Sequence, residues 1–268
     1  MKKIISIFLA AAMMVFVFAG CKANDNNELV VGMELAYPPF EMTDAQGNPD
    51  GISVQMALAL GEYLGRPVRI ENMAWTGLIP SLTTGKVDLI ISSMTITEER
   101  AKTVNFSIPY AKAQLSLLIH HNSPVQSFAD LKAPGRKLAV KRGTTGHIFA
   151  ISQLPEQNIV VFEKETEGIL EVSQGKADAF IYDALTIYKS AQGYADTTRA
   201  SFEVFQEEFD FWGMALRKDD TALLEQANAF IRQYREDGRL NMLADTYLGD
   251  VKKVFDDQGL PFFFDIGE

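Results

Sequence analysis

Short apolar runs alternate with amphipathic stretches along most of the chain, and this alternation limits the possible folds more than any other feature. A first series reads LVVGM, ISVQMALALGEYLG, PVRIENM, LIPSLTTG and VDLIIS, which predicts strand, helix, strand, short helix and strand. A second series of strands and helices reads KLAVKR, GHIFAISQL, NIVVFE, TEGILEVSQG, ADAFIYD and ALTIYKSAQG. Strands separated by helices favour parallel βαβ units, so the sequence predicts an α/β fold.

Two extended runs divide this pattern. YAKAQLSLLIHHNSPV separates the two series, and FEVFQEEFDFWGMALRKDD follows the second, before a long helical pattern, TALLEQANAFIRQYREDGRLNMLADTYL. The chain could thus leave one lobe near Gln114 and return near Glu208, which assigns 29–112 and 209–268 to lobe 1 and 113–208 to lobe 2. Two crossings would make a hinge and a cleft. The alternative is one continuous doubly wound sheet.

The first residues have the pattern of an export signal. MKK is a basic start, IISIFLAAAMMVFVFA is an apolar run, and FAGC is a small-residue site that ends at Cys21. This pattern resembles a bacterial lipoprotein signal that comprises residues 1–20. Residues 21–28 would then be the lipidated Cys21 followed by a polar tether. A retained membrane anchor is the alternative, but the apolar run is rather short and no stop-transfer pattern follows. Both place the bulk of the chain outside the cytoplasm.

The charge of the chain excludes one class of partner. The 25 basic and 35 acidic residues give a net charge of −10, and loss of residues 1–20 would remove Lys2 and Lys3 and change it to −12. An acidic protein repels phosphate backbones, so we expect no nucleic-acid partner. Cys21 is the only cysteine, so no disulfide can form within the chain.

The stretch SSMTITEER places hydroxyls and a guanidinium where a predicted strand ends and a helix begins. Ser92 and Ser93 fall at the carboxyl end of VDLIIS, where open α/β sheets bind ligands. Thr97 suits the helix N-cap, but Arg100 opposes the helix dipole. Arg100 could pair with a neighbouring glutamate or point into water. Alternatively, it could bind the carboxylate of a ligand through the planar fork of its guanidinium.

Two other strand ends carry polar groups. Thr144 and Thr145 follow a strand in LAVKRGTTGH, where exposed amides attract anions, although an ordinary capped turn fits equally well. Asp183 ends ADAFIYD and is either a helix N-cap or a ligand-binding acid. Together with Arg100, these groups are what a zwitterion requires.

Aromatic side chains follow the first two strands of the first series. Tyr37 lies in ELAYPPFEM with Glu34, and Trp75 lies in MAWTGLIPSL. Their faces could sandwich the aliphatic part of a ligand, or they could belong to the core, which is our expectation for Phe40.

Several of these motifs, in this order, carry a resemblance to a known family. AYPPFE, WTGLIPSLTTGKVDLIISSMTITEER, VNFSIPYA, LAVKRGTTG and GKADAFIYD resemble the extracytoplasmic solute-binding proteins that serve ABC importers of polar amino acids. The resemblance covers 29–248 and implies a type II periplasmic-binding-protein fold with hinge crossings near 110–114 and 207–211. It also implies a monomeric receptor without cofactor or enzymatic activity, whose partners are a polar L-amino acid and the transmembrane subunits of an ABC permease.

The resemblance also implies roles for individual residues. Arg100 would bind the ligand α-carboxylate with the backbone amides of Thr95 and Thr145. Asp183 would receive the α-ammonium with the Thr95 hydroxyl and the Ser93 carbonyl. Tyr37 and Trp75 would flank the side chain of the ligand with aromatic rings. Selectivity for that side chain would be set by Glu34, Ser92, Lys141, Thr144 and Tyr182.

Two questions stay open in the sequence. Glu34 in the cleft would favour glutamine or a basic amino acid, whereas Lys141 in the cleft would favour an acidic one. A dehydratase that acts on a prephenate-like acid is an alternative on the same fold, with Glu34 as its acid; a sensory component is another. The aromatic tail, VKKVFDDQGLPFFFDIGE, is expected to pack on lobe 1.

Overall fold

The computed structural model describes residues 27–206 and 209–266. The predicted export signal and Cys21 lie outside this part. Within it, the helices are α1 (Ile52–Leu64), α2 (Leu78–Thr83), α3 (Glu98–Thr103), α4 (Thr145–Gln153), α5 (Glu165–Ser173), α6 (Ala184–Gly193), α7 (Thr221–Glu236) and α8 (Arg239–Gln258). The strands are β1 (Leu29–Met33), β2 (Met42–Thr43), β3 (Pro49–Asp50), β4 (Val68–Asn72), β5 (Leu89–Ile90), β6 (Asn105–Phe106), β7 (Ala111–Ala113), β8 (Leu115–His120), β9 (Leu138–Lys141), β10 (Ile159–Phe162), β11 (Ala179–Asp183), β12 (Thr198–Ser201), β13 (Asp210–Trp212) and β14 (Ala215–Leu216).

The strands form two separate main sheets, each with helices around it. The sheet of lobe 1 has the order β4-β1-β5-β14-β6, with β1 parallel to β4 and β5. The sheet of lobe 2 has the order β10-β9-β11-β8-β12, with β9 parallel to β10 and β11. The predicted α/β fold with two lobes is therefore confirmed, and the alternative of one continuous sheet is wrong. In each sheet the parallel strands are the apolar runs separated by helices, as the βαβ pattern requires.

Two short strands join the lobes. β7 and β13 pair antiparallel, with Ala111 opposite Trp212 and Ala113 opposite Asp210. β7 leads directly into β8 of lobe 2, and β13 leads back to β14 of lobe 1. This pair therefore forms the connection at the base of the cleft.

The long helical pattern predicted after β14 is helical, and it consists of two helices with a short turn between them. α7 ends at Glu236 and α8 begins at Arg239, with Gly238 between them at φ 71°. This left-handed conformation suits glycine because it has no Cβ, and it turns the chain so that both helices pack on lobe 1.

The aromatic tail packs on lobe 1 as predicted. The ring of Phe263 lies 4.8 Å from that of Phe40 and 5.4 Å from that of Trp212, measured between centroids. All three side chains are buried, so Phe40 belongs to the core. The backbone amide of Lys112 in β7 donates to the carbonyl of Phe263 at 2.8 Å, which ties the tail to the connection between the lobes. No helix in the described part of the chain is both long and apolar enough to cross a membrane.

Candidate ligand-binding cleft

A cavity lies between the lobes, with about 550 Å³ of empty space, part of it open to solvent. All the predicted ligand-binding residues except Lys141 line it. Its full lining comprises Glu34, Tyr37, Glu41, Trp75, Ser92, Ser93, Thr95, Arg100, Ala113, Leu115, Thr144, Thr145, Gly146, Tyr182, Asp183, Asp210 and Trp212. The sequence analysis therefore found most of the polar lining but missed Glu41 and Asp210.

Arg100 turns from its own helix toward the cavity. Thr97 caps α3 as predicted, and its hydroxyl oxygen accepts the backbone N–H of Arg100 at 3.2 Å. The guanidinium donates to the carbonyl of Thr95 at 2.6 Å and to that of Gly143, in lobe 2, at 3.1 Å. It also lies over the ring of Trp75, 5.3 Å from the centroid.

This guanidinium is buried without an ion-pair partner among the described residues. Arg100 is 8% exposed, and the neighbouring Glu99 pairs instead with Lys102. The interpretation of Arg100 as a surface ion pair or solvated group is therefore wrong. Burial lowers the pKa of Arg100 to about 10, which leaves it cationic at neutral pH. A buried cation with unused donors is suited to an anion.

The loop after β9 brings polar groups from lobe 2. Gly143 has a left-handed φ of 73°, and a Cβ there would lie 3.5 Å from the indole nitrogen of Trp75. Thr144 caps α4, because its hydroxyl oxygen accepts the backbone N–H of His147 at 3.4 Å, and the same hydroxyl donates to the carbonyl of Lys141 at 2.8 Å. Thr145 begins α4, and its hydroxyl donates to a carboxylate oxygen of Asp210 at 2.7 Å. The loop is thus both a capped βα turn and part of the cavity wall.

Asp183 is a helix N-cap and also lines the cavity, while its role as a ligand-binding acid stays a prediction. Its Oδ1 accepts the backbone N–H groups of Leu185 and Thr186, both at 3.0 Å, which caps α6. Its buried Oδ2 accepts no hydrogen bond from the described part of the chain. Burial raises the pKa of Asp183, because the charged form loses solvation. A cation in the cavity would stabilise this carboxylate.

The structure answers the question of Glu34 and Lys141. Glu34 lines the cavity, and one of its oxygens accepts the backbone N–H of Trp75 at 3.2 Å. Lys141 is 1% exposed and lies behind Glu34, with its ammonium between the carboxylates of Glu34 and Glu165. The Lys141 to Glu165 distance is 3.0 Å. Glu34 therefore faces the cavity, and the charge of Lys141 is directed at two protein carboxylates.

Glu41 is a buried carboxyl group that the sequence analysis passed over. It is 1% exposed, and its carboxyl oxygens accept the hydroxyl of Ser93, at 2.9 Å for Oε1. Burial raises the pKa of Glu41 to about 8, so it is largely protonated at neutral pH. Ser93 has a positive φ of 48°, uncommon for a residue with a Cβ, and its bond to Glu41 helps to hold that conformation.

The aromatic side chains belong to both the core and the cavity wall. Tyr37 stacks on Phe40, with centroids 5.3 Å apart, and meets Tyr182 of lobe 2 edge-on at 6.0 Å. Ser92 lies beside them, and its hydroxyl oxygen accepts the backbone N–H of Glu34 at 3.0 Å. Tyr37 therefore packs in the core and also lines the cavity, and its contact with a ligand stays a prediction.

Two α/β lobes joined by a pair of strands, with polar groups facing each other across the cleft, define the class of type II periplasmic-binding proteins. The comparison with protein families agrees with this geometry. The chain belongs to the bacterial extracellular solute-binding proteins, family 3, whose model matches residues 29–250.

Individual relatives span nearly the same length. The L-cystine-binding protein of Escherichia coli is 28% identical over 257 residues, which cover 93% of this chain and 95% of that protein. A mutant of ArgBP from T. maritima is similar in structure, with a TM-score of 0.75 and 36% identity over 83% of this chain and 96% of that one. The ancestral amino acid-binding protein AncCDT-1, a precursor of cyclohexadienyl dehydratase, has a TM-score of 0.73 and 35% identity over 82% of this chain and 95% of that one.

Proposed function

We propose that this protein is an extracytoplasmic receptor that captures one polar L-amino acid between its lobes and delivers it to an ABC permease. The observation that carries the proposal is the pairing of opposite charges across the cavity. Arg100 of lobe 1 is a buried cation with free donors, and Asp183 of lobe 2 is a buried carboxyl with one free oxygen. An amino acid presents a carboxylate to the first and an ammonium to the second.

In this proposal the backbone amides of Thr95 and Thr145 join Arg100 at the ligand carboxylate. The Thr95 hydroxyl and the Ser93 carbonyl join Asp183 at the ammonium. Tyr37 and Trp75 flank the aliphatic part of the ligand. The family to which the chain belongs and the position of these residues along the cavity support these roles.

Ligand capture would proceed by population shift. A ligand stabilises the closed arrangement only by contacts that it makes better there than in an open one. Arg100 and Asp183 belong to different lobes, so both contacts form together only when the lobes are close. The receptor is expected to act as a monomer, because each lobe of one chain supplies half of these contacts.

The charges of the cavity favour a ligand side chain that is neutral or cationic over an acidic one. The cavity lining includes three carboxyl groups, those of Glu34, Asp183 and Asp210, and one cation, Arg100. A fourth carboxyl group, that of Glu41, is largely protonated at neutral pH and adds little charge. Lys141 is paired with glutamates behind the lining. A second carboxylate on the ligand would therefore meet net negative charge. Relatives named for cystine, arginine and glutamine agree with a neutral or basic ligand.

A thermal-shift screen of the twenty amino acids, followed by calorimetry, tests the proposal. Ligand that binds only the folded state raises the unfolding temperature in proportion to the logarithm of its concentration over its dissociation constant. Glutamine and glutamate form a matched pair, since they differ in charge at nearly equal size. We expect stabilisation by at least one of arginine, lysine and glutamine, and none by glutamate at equal concentration. The absence of any shift, or a larger shift with glutamate, would count against the proposal.

We further propose that Cys21 carries lipid that holds the receptor at the membrane. The apolar run before Cys21 and membership in an extracellular family support this. In the host cell, labelled palmitate should be incorporated into the wild type and not into Cys21→Ala. Absence of label in the wild type would show that Cys21 carries no lipid.

A dehydratase remains the alternative function, and one observation favours it. Glu41 lines the cavity as a carboxylic acid that is protonated at neutral pH, which is the form of a general acid. We nevertheless propose binding without chemical change, because Glu41 already accepts the Ser93 hydroxyl and its burial is explained by the fold. Formation of an aromatic product from a prephenate-like acid, followed by absorbance, would support the enzyme instead.

A further inference from the structure

Asp210 is an acidic residue whose position at the cleft is fixed by lobe 1. It begins β13, and the next residue, Phe211, accepts the backbone N–H of Ile96 at 2.7 Å. Two residues further, the N–H of Gly213 donates to the carbonyl of Met94 at 3.0 Å. The strand that carries Asp210 is thus hydrogen-bonded to the loop that carries the proposed carboxylate-binding groups.

The Asp210 carboxylate reaches across to lobe 2. Its Oδ2 accepts the hydroxyl of Thr145, the first residue of α4, at 2.7 Å. It also lies near Arg100: burial lowers the pKa of this guanidinium, and the charge of Asp210 opposes the lowering. Burial likewise raises the pKa of Asp210, opposed first by the Thr145 hydrogen bond and then by the charge of Arg100.

These contacts place a carboxylate of the chain among the groups proposed to bind the carboxylate of the ligand. Arg100 and Thr145 belong to the lobe 1 and lobe 2 sides of that clamp, and Asp210 lines the same cavity. We propose that Asp210 is an internal competitor of the ligand carboxylate. We also propose that its bond to Thr145 helps to hold the lobes together without ligand, beside the Arg100–Gly143 bond and the Glu34–Lys141 ion pair.

The two parts of this proposal have different foundations. The competition rests on the proposed amino-acid function, whereas the contribution to closure rests on the Asp210–Thr145 bond, which needs no ligand. Two nearby carboxylates repel each other inside a protein, so ligand binding must overcome the charge of Asp210. Asp210 would then lower the affinity of the receptor and make release of ligand easier, because its charge repels the ligand carboxylate.

Asp210→Asn tests the competition, because it removes the charge and keeps the shape and an acceptor oxygen. We expect calorimetry to give a dissociation constant about tenfold lower than that of the wild type for L-arginine or L-glutamine, whichever the wild type binds. The control is Asp219→Asn, which makes the same charge change at an exposed position of the return segment and should leave affinity unchanged. Equal or weaker binding by Asp210→Asn would overturn the competition and make Asp210 a bystander or a ligand contact.

Thr145→Val tests the closure without any ligand. It removes the hydroxyl donor at nearly constant volume, so small-angle scattering of the protein without added amino acid should give a larger radius of gyration than the wild type. The same measurement remains informative if no amino acid binds the wild type, which would defeat the proposed function and the competition but not the closure. An unchanged radius in Thr145→Val, with folding verified by circular dichroism, would overturn the closure.

Discussion

Arg100→Ala should bind amino acids at least about a hundredfold more weakly than the wild type, a loss of about 3 kcal/mol. The guanidinium is buried between Trp75 and the carbonyls of Thr95 and Gly143, so the ligand carboxylate would meet a charge that water screens little. Alanine removes both the charge and the fork of donors. The affinity of Arg100→Lys should lie between those of the wild type and Arg100→Ala, because an ammonium keeps the charge but cannot reproduce the planar fork of donors.

Calorimetry with the ligand found by the screen measures this loss. Lys102→Ala is the matched control, since it removes a cation from the same helix at an exposed position. Thermal unfolding should show Arg100→Ala folded, because the change removes a buried charge with no ion pair among the described residues. Affinity within a few-fold of the wild type would place the carboxylate site elsewhere.

Glu41→Gln should become progressively more stable than the wild type as the pH rises from about 5 to 9. The pKa of Glu41 is raised from 4.5 to about 8 by burial, so between these values the folded chain keeps a proton that the unfolded chain has released. The free energy of unfolding of the wild type therefore falls through this window and levels off above pH 8. The full shift corresponds to at most about 5 kcal/mol. Glutamine has the shape of the protonated acid and does not titrate.

Urea unfolding followed by tryptophan fluorescence over this pH range measures the difference between variant and wild type. At pH 5 the two should have similar stability, since both hold a neutral group beside Ser93. Glu62→Gln is the matched control, since it makes the same change of a carboxylate to an amide on the exposed face of α1. If the stability difference between Glu41→Gln and the wild type is constant with pH, Glu41 is ionised in the folded protein.

The sequence predicts those parts of the fold that depend on local patterns. Apolar runs and amphipathic stretches predict the strands and helices of both lobes, and Thr97 and Asp183 are helix caps because their hydroxyl or carboxylate directly precedes a helix. The same locality explains why the pattern does not mark the boundary between α7 and α8. Gly238 lies within a continuous amphipathic pattern, and only its left-handed backbone separates the helices.

The parts that could not be predicted depend on contacts between distant segments. Asp210 follows other acids in FEVFQEEFD and looks like part of a solvated surface, until the fold brings Thr145 beside it. Glu41 looks like the polar end of a motif, whereas the fold buries it under Ser93. The pairing of Lys141 with Glu34 and Glu165 likewise depends on how the two lobes meet, so the sequence leaves its direction open.

The attachment of the tail to β7 has a mechanical consequence for the cleft. Two paired strands alone form a ribbon that can bend and also rotate about its length. The backbone of Lys112 is hydrogen-bonded to that of Phe263, and the ring of Phe263 packs on Trp212 of the other strand. The tail therefore lies as a third segment along part of the paired strands. We infer that this bracing suppresses rotation more than bending. The lobes would then approach along one path, and the charged groups on each side would meet in the same alignment at every closure.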